Sequence, residues 1–118
     1  MPNNSGKGRK GEERAAVFLE GKGMKILARN LRSGRGEADI VALDGGTVVF
    51  AEVKTWSAYG IEELRYGINR EKQRRIIETA KYFLLSHREY KCMAVRFDVV
   101  FIGPQGITHL VSAFTERV

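Results

Sequence analysis

The chain has 118 residues and a single cysteine, Cys92, so it is long enough for one domain with a modest core and excludes an internal disulfide and a cysteine-built zinc site. Its 43% hydrophobic content is ordinary for a globular protein, and no run approaches the roughly 18 apolar residues of a membrane span. The net charge of +6 is laid out in blocks, with an acidic middle between two basic stretches.

Residues 1–35 hold nine Lys/Arg against three Glu, residues 36–64 one Lys against six acids, and residues 65–96 again nine against three. Basic faces attract polyanions, nucleic acid above all, although solvated helix surfaces give the same count. The stretch "MPNNSGKGRKGEE" lacks the apolar core of a signal peptide, and the lone cysteine suits a reducing compartment, so a cytoplasmic location is expected, with no membrane role.

In chain order, residues 1–8 are polar and glycine-rich and are expected to be a disordered tail, followed by one domain over residues 9–118. "KGEERAAVFLE" reads as a helix over residues 10–20, closed by Gly21 or Gly23, with Ala15, Ala16 and Leu19 on its apolar side. Glu12 lies three, four and seven residues before these and projects to the same side, an odd place for an acid. "MKILARNLR" reads as a strand, and "EADIVAL" and "TVVFAEVK" as a hairpin around Asp44-Gly45-Gly46. "TWSAYGIEELRYGI" has no clean period and reads as a mobile loop. Asn69 is positioned to cap a helix over residues 70–87 with Ile76, Ile77, Ala80, Phe83 and Leu84 as its buried stripe and Gln73 one turn earlier, Lys72 beside it. "AVRFDVVFI" and "GITHLVSAF" read as two more strands, which makes the order α-β-β-β-α-β-β.

The hairpin concentrates charge where strands are otherwise apolar. With a Gly45-Gly46 loop, Asp39 lies opposite Glu52 and Glu37 opposite Lys54; with an Asp44-Gly45 loop, Glu37 faces Glu52 and Asp39 becomes the diagonal neighbour. Either register puts all four groups on one face. Two carboxylates that close repel, and hard ions such as Mg²⁺ are held by one or two carboxylates completed by substrate phosphates. Such an ion polarises a phosphodiester and activates water, and a neighbouring lysine stabilises charge developing in the transition state. Asp39, Glu52 and Lys54 in a basic protein therefore have the layout of a metal-dependent nuclease. A strand end with a surface salt bridge is the plain alternative. His87 and His109 lack metal-ligand spacing and read as structural or surface residues, Cys92 as buried or incidental, and Asp98 as a structural partner of Arg96.

The pattern "GEADIV…VVFAEVK" resembles the core of the PD-(D/E)xK phosphodiesterases, with Ala38 where the superfamily name has proline. The blocks "KGRKGEERAAVFLEGKGMKILARNLRSGRGEADIVA", "VFAEVK", "KQRRI" and "VRFDVV" resemble the YraN-like family of small bacterial endonuclease-like proteins over about residues 6–102. The resemblance implies an α/β restriction-endonuclease-like core, a central mixed sheet flanked by helices. It implies that Asp39 and Glu52 bind Mg²⁺ or Mn²⁺ with the Val53 carbonyl, that Lys54 is catalytic, and that Glu12 supports the metal directly or through water. Lys72 and Gln73 match a helical lysine or glutamine near the scissile phosphate in related members. Trp56 stands where the family usually has a basic residue. The expected partner is nucleic acid, DNA ahead of RNA, with branched or repair DNA as the expected form and Arg35, Arg70, Lys72, Arg74 and Arg75 on its backbone phosphates. A homodimer paired through an edge such as "ITHLVSAF" fits enzymes of this fold that cut both strands. The rivals are a non-catalytic nucleic-acid-binding module and a metal-stabilised assembly factor.

Overall fold

The structure, a computed structural model, describes residues 4–34, 36–55, 69–104 and 106–115, with side chains from Lys10 onward. Helix α1 spans Asn4–Gly21. Strands β1 (Lys25–Ser33), β2 (Gly36–Asp44) and β3 (Thr47–Thr55) follow, then helix α2 (Arg70–Ser86), a 3₁₀ turn (Arg88–Tyr90), and strands β4 (Ala94–Gly103) and β5 (Gly106–Phe114). The five strands form one sheet in the order β1-β2-β3-β4-β5, antiparallel except for the parallel pair β3/β4 that α2 connects. This is the expected α-β-β-β-α-β-β order. One boundary differs: α1 begins at Asn4, so the tail expected to be disordered over residues 1–8 is helical from that residue on. Adding a residue to an existing helix costs far less than nucleating one, and the docked second half of α1 supplies the nucleus. The expected loop over residues 55–68 lies, beyond Thr55, outside the described residues, and Trp56 with it.

The central strands are covered on both faces, which is why β2, β3 and β4 read as near-continuous apolar runs. Ala15, Ala16 and Leu19 of α1 pack on Ile40, Ala42, Ala51, Val100 and Ile102. Ile76, Ala80 and Phe83 of α2 pack on Ala38, Val41, Val48, Phe50 and Phe97 on the opposite face. Asn69 caps α2, its side chain accepting a hydrogen bond from the Lys72 amide at 2.9 Å. Ile77 and Leu84 are only partly buried, and Thr79 takes the place in the stripe that periodicity assigns to Ile77.

A second charged group is part of the framework. Asp98 is fully buried and accepts hydrogen bonds from Arg96 Nε and Nη2 at 3.0 Å each, from His109 Nε2 at 2.8 Å and from the Ser112 amide at 3.0 Å. Arg96 also reaches Asp44 at 2.9 Å, at the β2–β3 turn. Lys22, just past α1, donates to His109 Nδ1 at 2.9 Å, so the ring proton of this buried histidine sits on Nε2 and points at Asp98. His109 is thus a buried structural residue. His87 is structural too, stacked on Phe83 at 4.0 Å between ring centres, whereas Cys92 is exposed.

Candidate metal and phosphodiester site

The turn between β2 and β3 sets the position of the acids. Asp44 pairs with Thr47, leaving Gly45 and Gly46 as the loop, and Gly45 adopts φ +59°, the left-handed conformation such turns require. This register would bring Asp39 opposite Glu52, but the ladder stops one step earlier at Ile40–Ala51. Beyond it the Val53 amide, instead of pairing with β2 backbone, donates to Asp39 Oδ2 at 2.8 Å. The strands open at the point where two buried carboxylates face each other.

The electrostatics are those of an under-compensated acid pair. Asp39 and Glu52 are 7% and 4% exposed. Burial, then the charge of Asp39, pushes the Glu52 carboxyl up to about 8. Burial likewise raises Asp39, against the opposing effect of the Val53 amide. Lys72 Nζ lies 3.2 Å from Glu52 Oε2, whereas no donor group reaches the buried Glu52 Oε1. The Asp39 and Glu52 carboxyls are close enough to share a proton as a hydrogen bond when one of them is protonated. Glu12 Oε1 is likewise buried and reached by no donor group, and burial followed by the charge of Asp39 raises its pKa. The two helices reach this strand end from opposite sides. Gly11 of α1 comes so close that a Cβ there would stand 2.8 Å from Thr55 Oγ1, and the first turn of α2 brings Lys72 to Glu52.

The expected site residues therefore separate into three groups. Asp39, Glu52, Val53 and Lys72 are in contact, Val53 through its amide, and Glu12 stands within the field of Asp39. Lys54 is half-buried two residues beyond Glu52 on the same strand. Gln73 is elsewhere: with Arg70 and Arg74 it lines a separate depression of about 370 Å³ on the other flank of α2. Successive helical residues project about 100° apart, so α2 can turn only one of Lys72 and Gln73 to Glu52. Arg75 lines a cavity of about 330 Å³ with Arg32, Glu37, Glu52 and Lys72, whereas Arg35 lies outside the described residues. Glu37 does not face Lys54; it pairs across β1 with Arg32, at 3.5 Å. Asn30 was missed by sequence reasoning. It adopts φ +53° within β1, and its side chain hydrogen-bonds Glu12. An asparagine inside an otherwise strand-forming run is the signal that could have pointed to it.

Among the described residues, no three His, Cys, Asp or Glu side chains are gathered to hold a metal ion. The donor set that exists is the Asp39/Glu52 pair with one unpartnered buried oxygen. That fits a hard divalent ion whose remaining ligands are water and substrate oxygens, as Mg²⁺ is usually bound. It does not fit a closed structural metal site.

A mixed five-stranded sheet between two helices, with charged groups at the end of its central strand, is consistent with a restriction-endonuclease-like core. The chain belongs to the family described as "Uncharacterised protein family UPF0102", whose model matches residues 11–102. It is 44% identical to a UPF0102 protein of Treponema denticola, over 92% of this chain and 95% of the relative. It is 42% identical to one of Persephonella marina, over 92% of each, and 39% identical to one of Nitrobacter winogradskyi, over 87% and 86%. No helix among the described residues is long and apolar enough to cross a membrane.

Proposed function

We propose that this protein is a Mg²⁺- or Mn²⁺-dependent phosphodiesterase that cleaves DNA internally, with branched or repair intermediates as its substrates. The observation that carries the reading is the buried Asp39/Glu52 pair with the unpartnered Glu52 Oε1. Burying carboxylates without full compensation is costly, and a fold keeps such a pair when a cation or substrate supplies what is missing. The bound ion would polarise the scissile phosphate and lower the pKa of water. Asp39 is oriented by the Val53 amide, and Glu52 presents its open oxygen. Lys54, on the same strand, is assigned to the negative charge that develops on the phosphate oxygens. Arg70, Arg74 and Arg75 on α2 supply a cationic approach for the backbone.

The test is incubation with linear, nicked, flapped and four-way DNAs in Mg²⁺, in Mn²⁺ and in EDTA. Cleavage is expected with metal and not in EDTA. Lys54→Ala is expected to lose it while keeping the metal-dependent rise in melting temperature, because this lysine acts on the transition state rather than on the ion. Cleavage persisting unchanged in purified Lys54→Ala would point to a contaminating nuclease. A second reading, a module that binds nucleic acid without cutting it, is favoured by the Lys72–Glu52 ion pair, which already compensates part of the acid charge. DNA bound but left intact under every condition would select it.

A further inference from the structure

The acid pair already has a cation. Lys72 Nζ is 3.2 Å from Glu52 Oε2, and the two partners are unequal: the Glu52 side chain is 5% exposed and that of Lys72 is 43% exposed. The carboxylate is fixed in the sheet, and the ammonium reaches it on a flexible stem from the solvent side. A purely structural ion pair would satisfy the buried carboxylate, but Lys72 meets one Glu52 oxygen and no donor group reaches the other. The cavity of about 330 Å³ next to it holds two further bases, Arg32 and Arg75. Both rest on exposed carboxylates, Arg32 on Glu37 at 3.5 Å and Arg75 on Glu71 at 3.0 Å. Exposed pairs of this kind are weak and exchange readily. Every base lining the cavity thus rests on an acid from which a phosphate can take it.

We infer that Lys72 is a resident counter-cation of Glu52 that competes with a divalent ion for the acid pair, and that when displaced it serves the substrate phosphate in the adjoining cavity. The inference rests on the metal-dependent reading above. A monovalent ammonium and a divalent ion at one carboxylate repel each other, so metal loading releases the lysine, and the released charge goes to the phosphate. Lys72 then couples the two events, with metal entry making the phosphate site and phosphate binding favouring metal.

The experiment measures Mg²⁺ binding to the full chain by calorimetry and by melting shift, without nucleic acid. It uses alkaline buffer in which Glu52 has given up its proton. Wild type is compared with Lys72→Met, Lys72→Gln and Lys72→Arg; the α2 cap is a backbone contact of residue 72 and survives all three. Lys72→Met and Lys72→Gln are expected to bind Mg²⁺ about tenfold more tightly than wild type, and Lys72→Arg about as wild type. In Ca²⁺, a short DNA duplex is expected to bind less tightly to Lys72→Met than to wild type. If wild type binds Mg²⁺ and the neutral variants bind it no better, Lys72 is a structural clamp and the inference falls while the metal-dependent reading stands. If neither wild type nor the neutral variants bind Mg²⁺, both fall.

Discussion

Glu52 and Asp98 are buried carboxylates on neighbouring strands, and their surroundings drive them in opposite directions. Burial, then Asp39, raises Glu52 to about 8. Burial pushes Asp98 up as well, but hydrogen bonds from His109, Arg96 and the Ser112 amide bring it below the usual carboxylate value of 3.8. The linkage signs are therefore opposite. A raised folded-state pKa means that Glu52 costs nothing below its unfolded value of 4.5 and weakens the fold progressively as pH rises to about 8. A depressed one means that Asp98 supports the fold above 3.8 and that this support is lost as pH falls through its folded value. Without metal, Glu52→Gln is expected to melt at or above wild type, by on the order of 1–3 kcal/mol in alkaline buffer, the gap closing as pH is lowered. Mg²⁺ should raise the melting temperature of wild type and leave that variant unmoved. A Glu52→Gln protein melting well below wild type in EDTA would show that the acid serves the fold. Asp98→Asn should lose about 2–4 kcal/mol in denaturant unfolding, because it weakens a fully satisfied buried network. Unchanged stability there would remove Asp98 from the framework.

Among the elements, α2 decides which charge reaches Glu52, and its docking depends on one close approach. A Cβ on Gly36 would stand 2.8 Å from the Arg75 carbonyl oxygen and 3.0 Å from Thr79 Oγ1, and a backbone atom cannot rotate away. Gly36→Ala should therefore shift α2 off β2, cost about 1–3 kcal/mol, and strengthen the response to Mg²⁺ by moving Lys72 away from Glu52. The control is Gly46→Ala at the hairpin tip, where an added Cβ meets nothing within 4 Å. Equal melting temperatures for the two variants would mean that β2 and α2 tolerate separation. At the far edge of the sheet, Ser112 adopts φ +53° and turns its amide inward to Asp98, next to the register shift between Phe97 and Val99. Such a bulge interrupts the edge that the "ITHLVSAF" segment would need for continuous pairing with a second copy.

For the whole molecule, the charge blocks of the sequence become geography. The long axis is 40 Å, enough to follow about twelve base pairs of duplex. Arg74 and Arg75 are exposed on α2, and the Glu71 partner of Arg75 is itself exposed. If they lie along DNA, neutralising both should weaken every DNA alike and reduce the slope of log affinity against log salt by roughly 2, measured by anisotropy titration. An affinity independent of salt, or no DNA binding at low salt, would support an assembly role instead.

What the sequence by itself determined is what depends on near neighbours. The period-two runs of β2 and β3, the Asn69 cap and the apolar stripe of α2 are all local, as is the placing of Glu37, Asp39, Glu52 and Lys54 on one face of the hairpin. Two loop registers stayed open, and the structure selects Gly45-Gly46. The α1 start shows the limit of local reading, since a polar glycine-bearing stretch joins a helix that packing nucleates elsewhere. Only the tertiary structure decided that Lys72 rather than Gln73 meets Glu52, that Glu37 turns to Arg32 and not to Lys54, and that Asn30 reaches Glu12. It also joined residues far apart in the chain, Arg96 with Asp44 across 52 positions and Lys22 with His109 across 87. Periodicity assigns a residue to a face of its own element, but its partner depends on how far elements rotate and separate as they pack. That rotation is set by close approaches such as Gly36 against Arg75, which involve the whole core.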